Sequence, residues 1–245
     1  MYLDPGRAEA RALELEFQGA DILDIGAESS RPGAKEVDAK EELRRLLPVI
    51  KRLAGKLKIP MSVDTFKYEV MQAVLDEGVQ IINDITAGSQ DPRVAKLIGS
   101  YAAKIVLMHM RGMPQTMQKD VYYQDLVGEV TRFLIEAKRR FLEAGVASDH
   151  VIVDPGIGFG KSAEGNFELL HSIREIKATI GSPILIGLSK KSFLKALAGN
   201  EAANLAAPMA AAHALALAEG ADFLRVHDII DAKHVLNFYI QWNSL

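Results

Sequence analysis

Cysteine is absent from the 245 residues, which excludes structural disulfides, thiolate metal sites and cysteine nucleophiles. Long apolar runs are missing too. Apolar runs such as residues 81–82 and 105–108 fall far short of the ~18 residues a membrane span needs. There is no excess of positive charge: 29 basic side chains face 32 acidic ones, a net −3, so the basic footprint of a nucleic-acid binder is lacking. The N-terminal stretch MYLDPGRAEARALELE carries acidic residues and no apolar core segment, unlike a signal peptide. None of the six histidines (His109, His150, His171, His213, His227, His234) forms an HExxH-type pair, and no Gly/Ser-rich linker divides the chain. His150, His171, His213 and His234 read as structural or surface groups. These absences predict a cytoplasmic protein of one domain, 1–245, with neither a membrane nor a nucleic acid as partner.

What is present is a regular alternation. With 49% hydrophobic residues the chain can bury a sizeable core. Strands are predicted at 21–25, 60–64, 80–84, 104–109, 150–154, 182–187 and 222–227. Each is a short Ile/Val/Leu-rich run without alternation, as strands buried on both faces require. Amphipathic segments at 43–57, 68–79, 94–103, 126–146, 167–181 and 209–221 carry apolar residues at helical spacing. Three of them close on Gly78, Gly145 and Gly220, as helix C-termini favour. A helix at 6–19 precedes the first strand. Seven strand–helix units mean a parallel sheet with right-handed crossovers. An open doubly wound sheet is the alternative, but no glycine-rich phosphate loop follows the first strand. Polar residues end nearly all the strands rather than clustering at one switch point. The expected fold is therefore α/β, a (β/α)8 TIM barrel whose first strand is missing from this chain.

The strand ends carry Asp24, Asp64, Asn83 with Asp84, His109, Asp154, Ser189 with Lys191, and Arg225 with His227. One Asp after a strand is ordinarily a helix cap or a turn residue. Seven such ends in a barrel predict a shared polar mouth instead. Three loops add to it. Arg31, in DIGAESSRPGA (24–34), has the fork geometry to clamp an anion. DPGIGFGKS (154–162) has three glycines and a Lys but not the Walker spacing, and it predicts close approach of backbone to a ligand. GLSKKSFL (187–194) ends a strand in two lysines. Asp64, Asn83 and Asp154 can pair with the edge of a flat heterocycle. Arg31, Lys191, Arg225 and His227 can hold a phosphate or diphosphate. The methionines and tyrosines between Met108 and Tyr123 read as packing.

The motifs GADILDIGAESSRPGA, MSVDTFK, IINDITAG, VLMHMRGMPQTMQ, VIVDPGIGFGKS, LIGLSKKSFL and GADFLRVHD, in this order and spacing, closely resemble those of the dihydropteroate synthase family over nearly the whole chain. The resemblance implies a (β/α)8 barrel, a homodimer and a folate-biosynthesis transferase. That transferase joins 4-aminobenzoate to 6-hydroxymethyl-7,8-dihydropterin diphosphate and releases diphosphate. It implies a pterin pocket of Asp64, Asn83, Asp154 and Lys191, with Asp154 accepting from the 2-amino and ring N–H donors. Arg31, Arg225 and His227 would bind the diphosphate, and Lys191, Arg225 and His227 would be the catalytic groups. Ser30 and Ser192, with Phe159 and Lys191, would face the aminobenzoate. The implied mechanism is dissociative: diphosphate leaves, a pterin-methylene cation forms, and the arylamine attacks.

Magnesium is implied with the diphosphate, although no residue of this chain is assigned as its ligand. The family's first strand, ending in the Asn-x-Thr-Pro-Asp-Ser-Phe loop associated with that ion, has no counterpart here. An open seam and weakened turnover are the expectation. Two further departures are Ser30 for the usual Thr, and Lys190 for the usual Arg, whose bidentate geometry a Lys cannot reproduce. Other readings are a pterin-dependent corrinoid methyltransferase, which has no need of ESSRPGA, SKKSF or RVHD, and a truncated or non-catalytic pterin-binding paralogue.

Overall fold

The computed structural model describes residues 4–29, 37–112, 116–117, 121–189, 191–197 and 205–244. A helix comes first: α1 (Pro5–Phe17), capped by Asp4, whose carboxylate accepts the Arg7 N–H at 2.8 Å, with Pro5 fitting its first turn. Strands and helices then alternate: β1 (Leu23–Gly26), α2 (Ala39–Leu53), β2 (Met61–Asp64), α3 (Tyr68–Asp76), β3 (Ile81–Asp84), α4 (Val94–Tyr101), β4 (Lys104–Met108), α5 (Leu126–Glu143), β5 (Val151–Asp154), α6 (Ala163–His171), α7 (Ile173–Ile180), β6 (Leu185–Gly187), α8 (Ser192–Leu197), α9 (Ala206–Ala218), β7 (Phe223–Arg225) and α10 (Ile229–Asn243). Gly78, Gly145 and Gly220 end helices at φ of 86°, 91° and 97°, as their positions predicted.

All ladders are parallel. β1 to β5 pair in chain order, Val153 bridges to Ile184, and β6 pairs with β7. The seventh strand returns to the first: Arg225 on β7 reaches Asp24 on β1 and Asp64 on β2. In a flat sheet those outer strands would stand six spacings apart, about 29 Å, far beyond one side chain. The sheet therefore curls into a barrel, and the open doubly wound alternative is excluded. Among the described residues no backbone ladder joins β1 to β7; Arg225 spans the two.

Register decides what the barrel interior contains. Ile81, Val106 and Ile152 form an apolar plug with Ile22, Leu185 and Phe223 packed against it. Two residues further along each strand, the same inward face presents Asp24, Asn83, Met108, Asp154 and Arg225. Asp64 stands level with Asn83 in the ladder, and Asp154 with Met108. Two larger clusters, one around Ile50, Val63, Ile98 and Phe141 and one around Val153, Ile176 and Phe193, fill the space between sheet and helices. Strands packed on both faces explain the unbroken apolar runs in the sequence.

Three helical expectations need correction. The segment predicted as one helix at 167–181 is two, α6 and α7, with the turn at Ser172. The short helix α8 and the long terminal α10 were not predicted. Among α10 residues only Ala232 is buried, whereas Ile230, Phe238, Ile240 and Trp242 are exposed, so its sequence carries no clean core stripe.

Candidate active site

The polar layer lies at the C-terminal ends of the strands, the face on which barrels place their sites. Arg225 is its most heavily paired member. Its Nε lies 2.7 Å from Asp24 Oδ2, and its Nη2 lies 2.8 Å from Asp64 Oδ2. Partial burial weakens its hold on the proton, and the two carboxylates more than restore it. Asp64 shows the opposing balance. Burial pushes its carboxyl up to about 7, the Arg225 charge resists, and the neighbouring Asp24 adds to the rise. Asp24 keeps a second, buried oxygen, Oδ1, without a hydrogen-bond partner.

Asn83 is buried beside Asp64, and its main-chain oxygen accepts the Thr65 N–H at 3.1 Å. Its side-chain amide faces the mouth layer and bonds to no described residue. Asp154 is also buried. One oxygen accepts the Gly156 N–H at 2.7 Å, and burial raises its pKa against that bond and the charge of Lys191. Lys191 stands across from it, with Nζ 3.9 Å from the centroid of the Phe159 ring. Burial pushes Lys191 down to about 8, with Asp154 resisting and Arg225 adding to the fall. The mouth thus brings together Asp64, Asn83, Asp154, Phe159, Lys191 and Arg225.

Ser192 is exposed at the first position of α8. His227, exposed just beyond β7, donates its backbone N–H to Ser189 Oγ at 3.3 Å. Ser30 and Arg31 lie outside the described residues.

Two strand-end residues do other work. Asp84 turns away into its own loop. There its carboxylate accepts the Thr86 N–H at 2.8 Å, the Thr86 hydroxyl at 2.7 Å and the Gly88 N–H at 2.7 Å. It is the turn residue that its type ordinarily signals. His109 lies buried under the 155–160 loop, and burial pushes it down to about 3, so its ring is neutral.

The glycines of DPGIGFGKS bring the loop close against the protein itself. At Gly156 (φ +68°) a Cβ would overlap the His109 carbonyl oxygen, and at Gly158 (φ +84°) it would come 2.8 Å from Lys191 Cδ.

Sequence reasoning passed over two clusters. Lys161, which closes that loop, is buried with its Nζ 2.9 Å from His109 Nδ1. Burial pushes it down to about 7, with Asp154 resisting. Lys67 lies between Glu28 and Glu42, bonding Glu42 Oε2 at 2.7 Å and Glu28 Oε2 as well, and Glu28 Oε1 accepts the Val37 N–H at 3.3 Å. A Lys at the end of a glycine loop was the only sequence signal for the first. For the second there was only a basic residue beside MSVDTF.

Arranged in this way, the mouth offers acceptors and an amide on one side and cations on the other. It suits a flat heterocycle with hydrogen-bonding edges and an anionic group.

Known proteins share this fold. Residues 1–227 match the family model described as pterin binding enzyme. The dihydropteroate synthase of Synechocystis sp. is 42% identical over 212 residues, covering 86% of this chain and 73% of the relative. Two solved structures of the Xanthomonas albilineans dihydropteroate synthase superpose closely. The one with 4-aminobenzoic acid has a TM-score of 0.91 at 40% identity, covering 98% of this chain and 86% of that one. The one with 7,8-dihydropteroate has a TM-score of 0.87 at 38% identity, covering 98% and 88%.

Proposed function

The chain belongs to the pterin binding enzyme family, and from that premise we propose that it is a dihydropteroate synthase, a transferase of folate biosynthesis. It condenses 6-hydroxymethyl-7,8-dihydropterin diphosphate with 4-aminobenzoate to give 7,8-dihydropteroate and diphosphate. The observation that carries this reading is the single barrel mouth holding Asp64, Asn83, Asp154 and Lys191 beside Arg225.

Each group has a role matched to its chemistry. Asp154, fixed by the Gly156 N–H, turns its other oxygen to the donors of the pterin edge. Asn83 and Asp64 complete the edge, and Lys191 donates to the pterin carbonyl oxygen and a ring nitrogen. Arg31, Arg225 and His227 bind the diphosphate. Ser30, Phe159 and Ser192 face the aminobenzoate.

In the reaction the bond from the pterin methylene to the diphosphate oxygen breaks, and its electron pair leaves with the diphosphate. The arylamine nitrogen then bonds to the methylene carbon and loses a proton. Preorganised cations stabilise the charge growing on the leaving group, so no enzyme nucleophile is needed.

Magnesium belongs to this reading as an ion carried on the diphosphate. The unpartnered Asp24 Oδ1 offers it one carboxylate contact, and among the described residues no three acidic or histidine groups converge to hold a metal. When bound, it would neutralise leaving-group charge.

We further read the chain as one barrel domain, cytoplasmic and homodimeric. Exposed Ile230, Phe238 and Trp242 on α10 support the dimer, which light scattering would read directly. Among the described residues no helix is long and apolar enough to cross a membrane.

An assay of diphosphate release separates the three readings. Release that requires both substrates supports the synthase. Pterin binding without release would mark a non-catalytic paralogue, and methyl transfer to a corrinoid would mark the methyltransferase. Within the synthase, Arg31→Ala and His227→Ala are expected to weaken inhibition by free diphosphate more than pterin binding.

A further inference from the structure

Lys161 is only 3% exposed, and a buried ammonium is costly unless its donors are satisfied. Here they are oversupplied. Its Nζ lies 2.8 Å from the Gly156 oxygen, 3.0 Å from the Phe159 oxygen and 3.1 Å from the His109 oxygen, besides the His109 ring nitrogen. Four acceptors share three N–H donors, so every donor of the ammonium has a partner. The His109 Nδ1 accepts, so its proton sits on Nε2.

The partners are not scattered. Two are carbonyls of the loop that Lys161 itself closes, and two belong to the residue just past β4. The ammonium therefore draws the carbonyls of 156 and 159 beneath the loop and pins them to the end of a neighbouring strand. That orientation has consequences above. With its carbonyl held down, Phe159 presents its ring to Lys191 Nζ, and Gly158 lies against the Lys191 stem. Further bonds fix the same loop: Gly158 N–H to Asn166 Oδ1 at 2.6 Å, and the Tyr123 hydroxyl to the Gly160 oxygen at 3.0 Å.

We propose that Lys161 is a positioning residue. By clamping the Gly156 and Phe159 carbonyls onto His109, it sets Phe159 as the floor under Lys191 and so shapes the aminobenzoate side of the site. It does not touch substrate. This inference rests on the synthase reading for the identity of that ligand. The preformed loop itself does not depend on it.

The test compares Lys161→Met with a core variant away from the mouth, Phe141→Leu, matched to it in melting temperature. The expected result is selective. Lys161→Met raises KM for 4-aminobenzoate about tenfold or more and changes KM for the pterin diphosphate less than about threefold, because a small misplacement of a binding group is felt where that group acts. Phe141→Leu leaves both constants unchanged. Equal weakening of both substrates, or an aminobenzoate KM that does not move, would overturn the proposal.

Hydrogen exchange on the unmodified protein keeps the proposal testable if Lys161→Met does not fold or the protein shows no turnover. The amides of Gly158 and Phe159 should be slow before any ligand is added, and 4-aminobenzoate should slow them further only slightly. Fast exchange that is quenched only by the ligand means the loop is not preformed, and the clamp fails. Absence of turnover in the parent protein would count against the synthase reading alone.

Discussion

Arg225, on the last strand, holds Asp24, on the first: its Nε and Nη2 lie 2.7 and 2.6 Å from the same carboxylate oxygen. A third contact, to Asp64, makes this guanidinium the only cation paired with either acid among the described residues.

Arg225→Met would leave both carboxylates facing each other. Breaking a buried pair costs ~3–5 kcal/mol, but the Arg225 side chain is 42% exposed and solvent screens it, so about 1–3 kcal/mol is expected. The loss should depend on pH. Burial holds Asp64 up at about 7, and without Arg225 it rises further, so at pH 5 it is neutral and only the Asp24 contacts are lost. At pH 8 the parent's Asp64 carries most of the charge that Arg225 stabilises, so the loss is larger. Urea unfolding at the two pH values checks this; an equal loss at both would show that Arg225 does not neutralise Asp64.

Asp154→Asn keeps an oxygen for the Gly156 N–H and turns an amide N–H₂ toward the pterin edge. Donor then meets donor. A mispaired buried group costs ~1–3 kcal/mol, about 5- to 150-fold in affinity. Calorimetry with a pterin should show it, with a small change in melting temperature. Unchanged affinity would remove Asp154 from the pocket.

Lys191 ties activity and stability to pH in opposite senses. Its folded pKa of about 8 lies below the ordinary 10.5, so the free enzyme loses this cation above pH 8. kcat/KM for the pterin diphosphate should fall there, and Lys191→Arg should move that limb upward, because kcat/KM reports the free enzyme. The acid limb should lie near 7, where Asp64 gains its proton.

The fold pays the cost of the charged lysine below pH 8 and is relieved of it between about 8 and 10.5. Lys191→Met should therefore stabilise the protein by about 1–3 kcal/mol at pH 7 and by little above pH 10.5. Activity should be lost throughout. A destabilised Lys191→Met variant would contradict this.

Most of the barrel was legible because buried parallel strands leave unbroken apolar runs, and each strand from Leu23–Gly26 to Phe223–Arg225 falls within three residues of its expected run. Terminal α10 was not legible, since an exposed face of Ile230, Phe238 and Trp242 blurs its helical stripe. At the site, residue type located Asp64, Asn83, Asp154 and Lys191 but could not tell a mouth group from a turn group. Asp84 and Asn83 are adjacent in sequence, and only their alternate directions along β3 separate their roles. Lys161 and Lys67 escaped because lysine usually signals solvent. Burial with several acceptors is a tertiary fact.

Lys67 supplies a last structural prediction. It is the cation between Glu28 and Glu42, and the Glu42 side chain is 1% exposed with Oε1 unpartnered. Lys67→Met should destabilise the protein by ~3–5 kcal/mol, because it leaves a buried charge uncompensated. Adding Glu42→Gln should recover part of that loss. A double variant no more stable than Lys67→Met would show that Glu42 is not the strained partner.

The central claim is that this mouth directs the pterin-methylene carbon to an arylamine. Mass-resolved product analysis tests it most directly, with the purified chain given 6-hydroxymethyl-7,8-dihydropterin diphosphate, 4-aminobenzoate and magnesium. The account predicts one 7,8-dihydropteroate for each diphosphate released, and no release without 4-aminobenzoate beyond a slow background. Diphosphate release with only the hydroxymethyl pterin as product, capture by water instead of the amine, would contradict it.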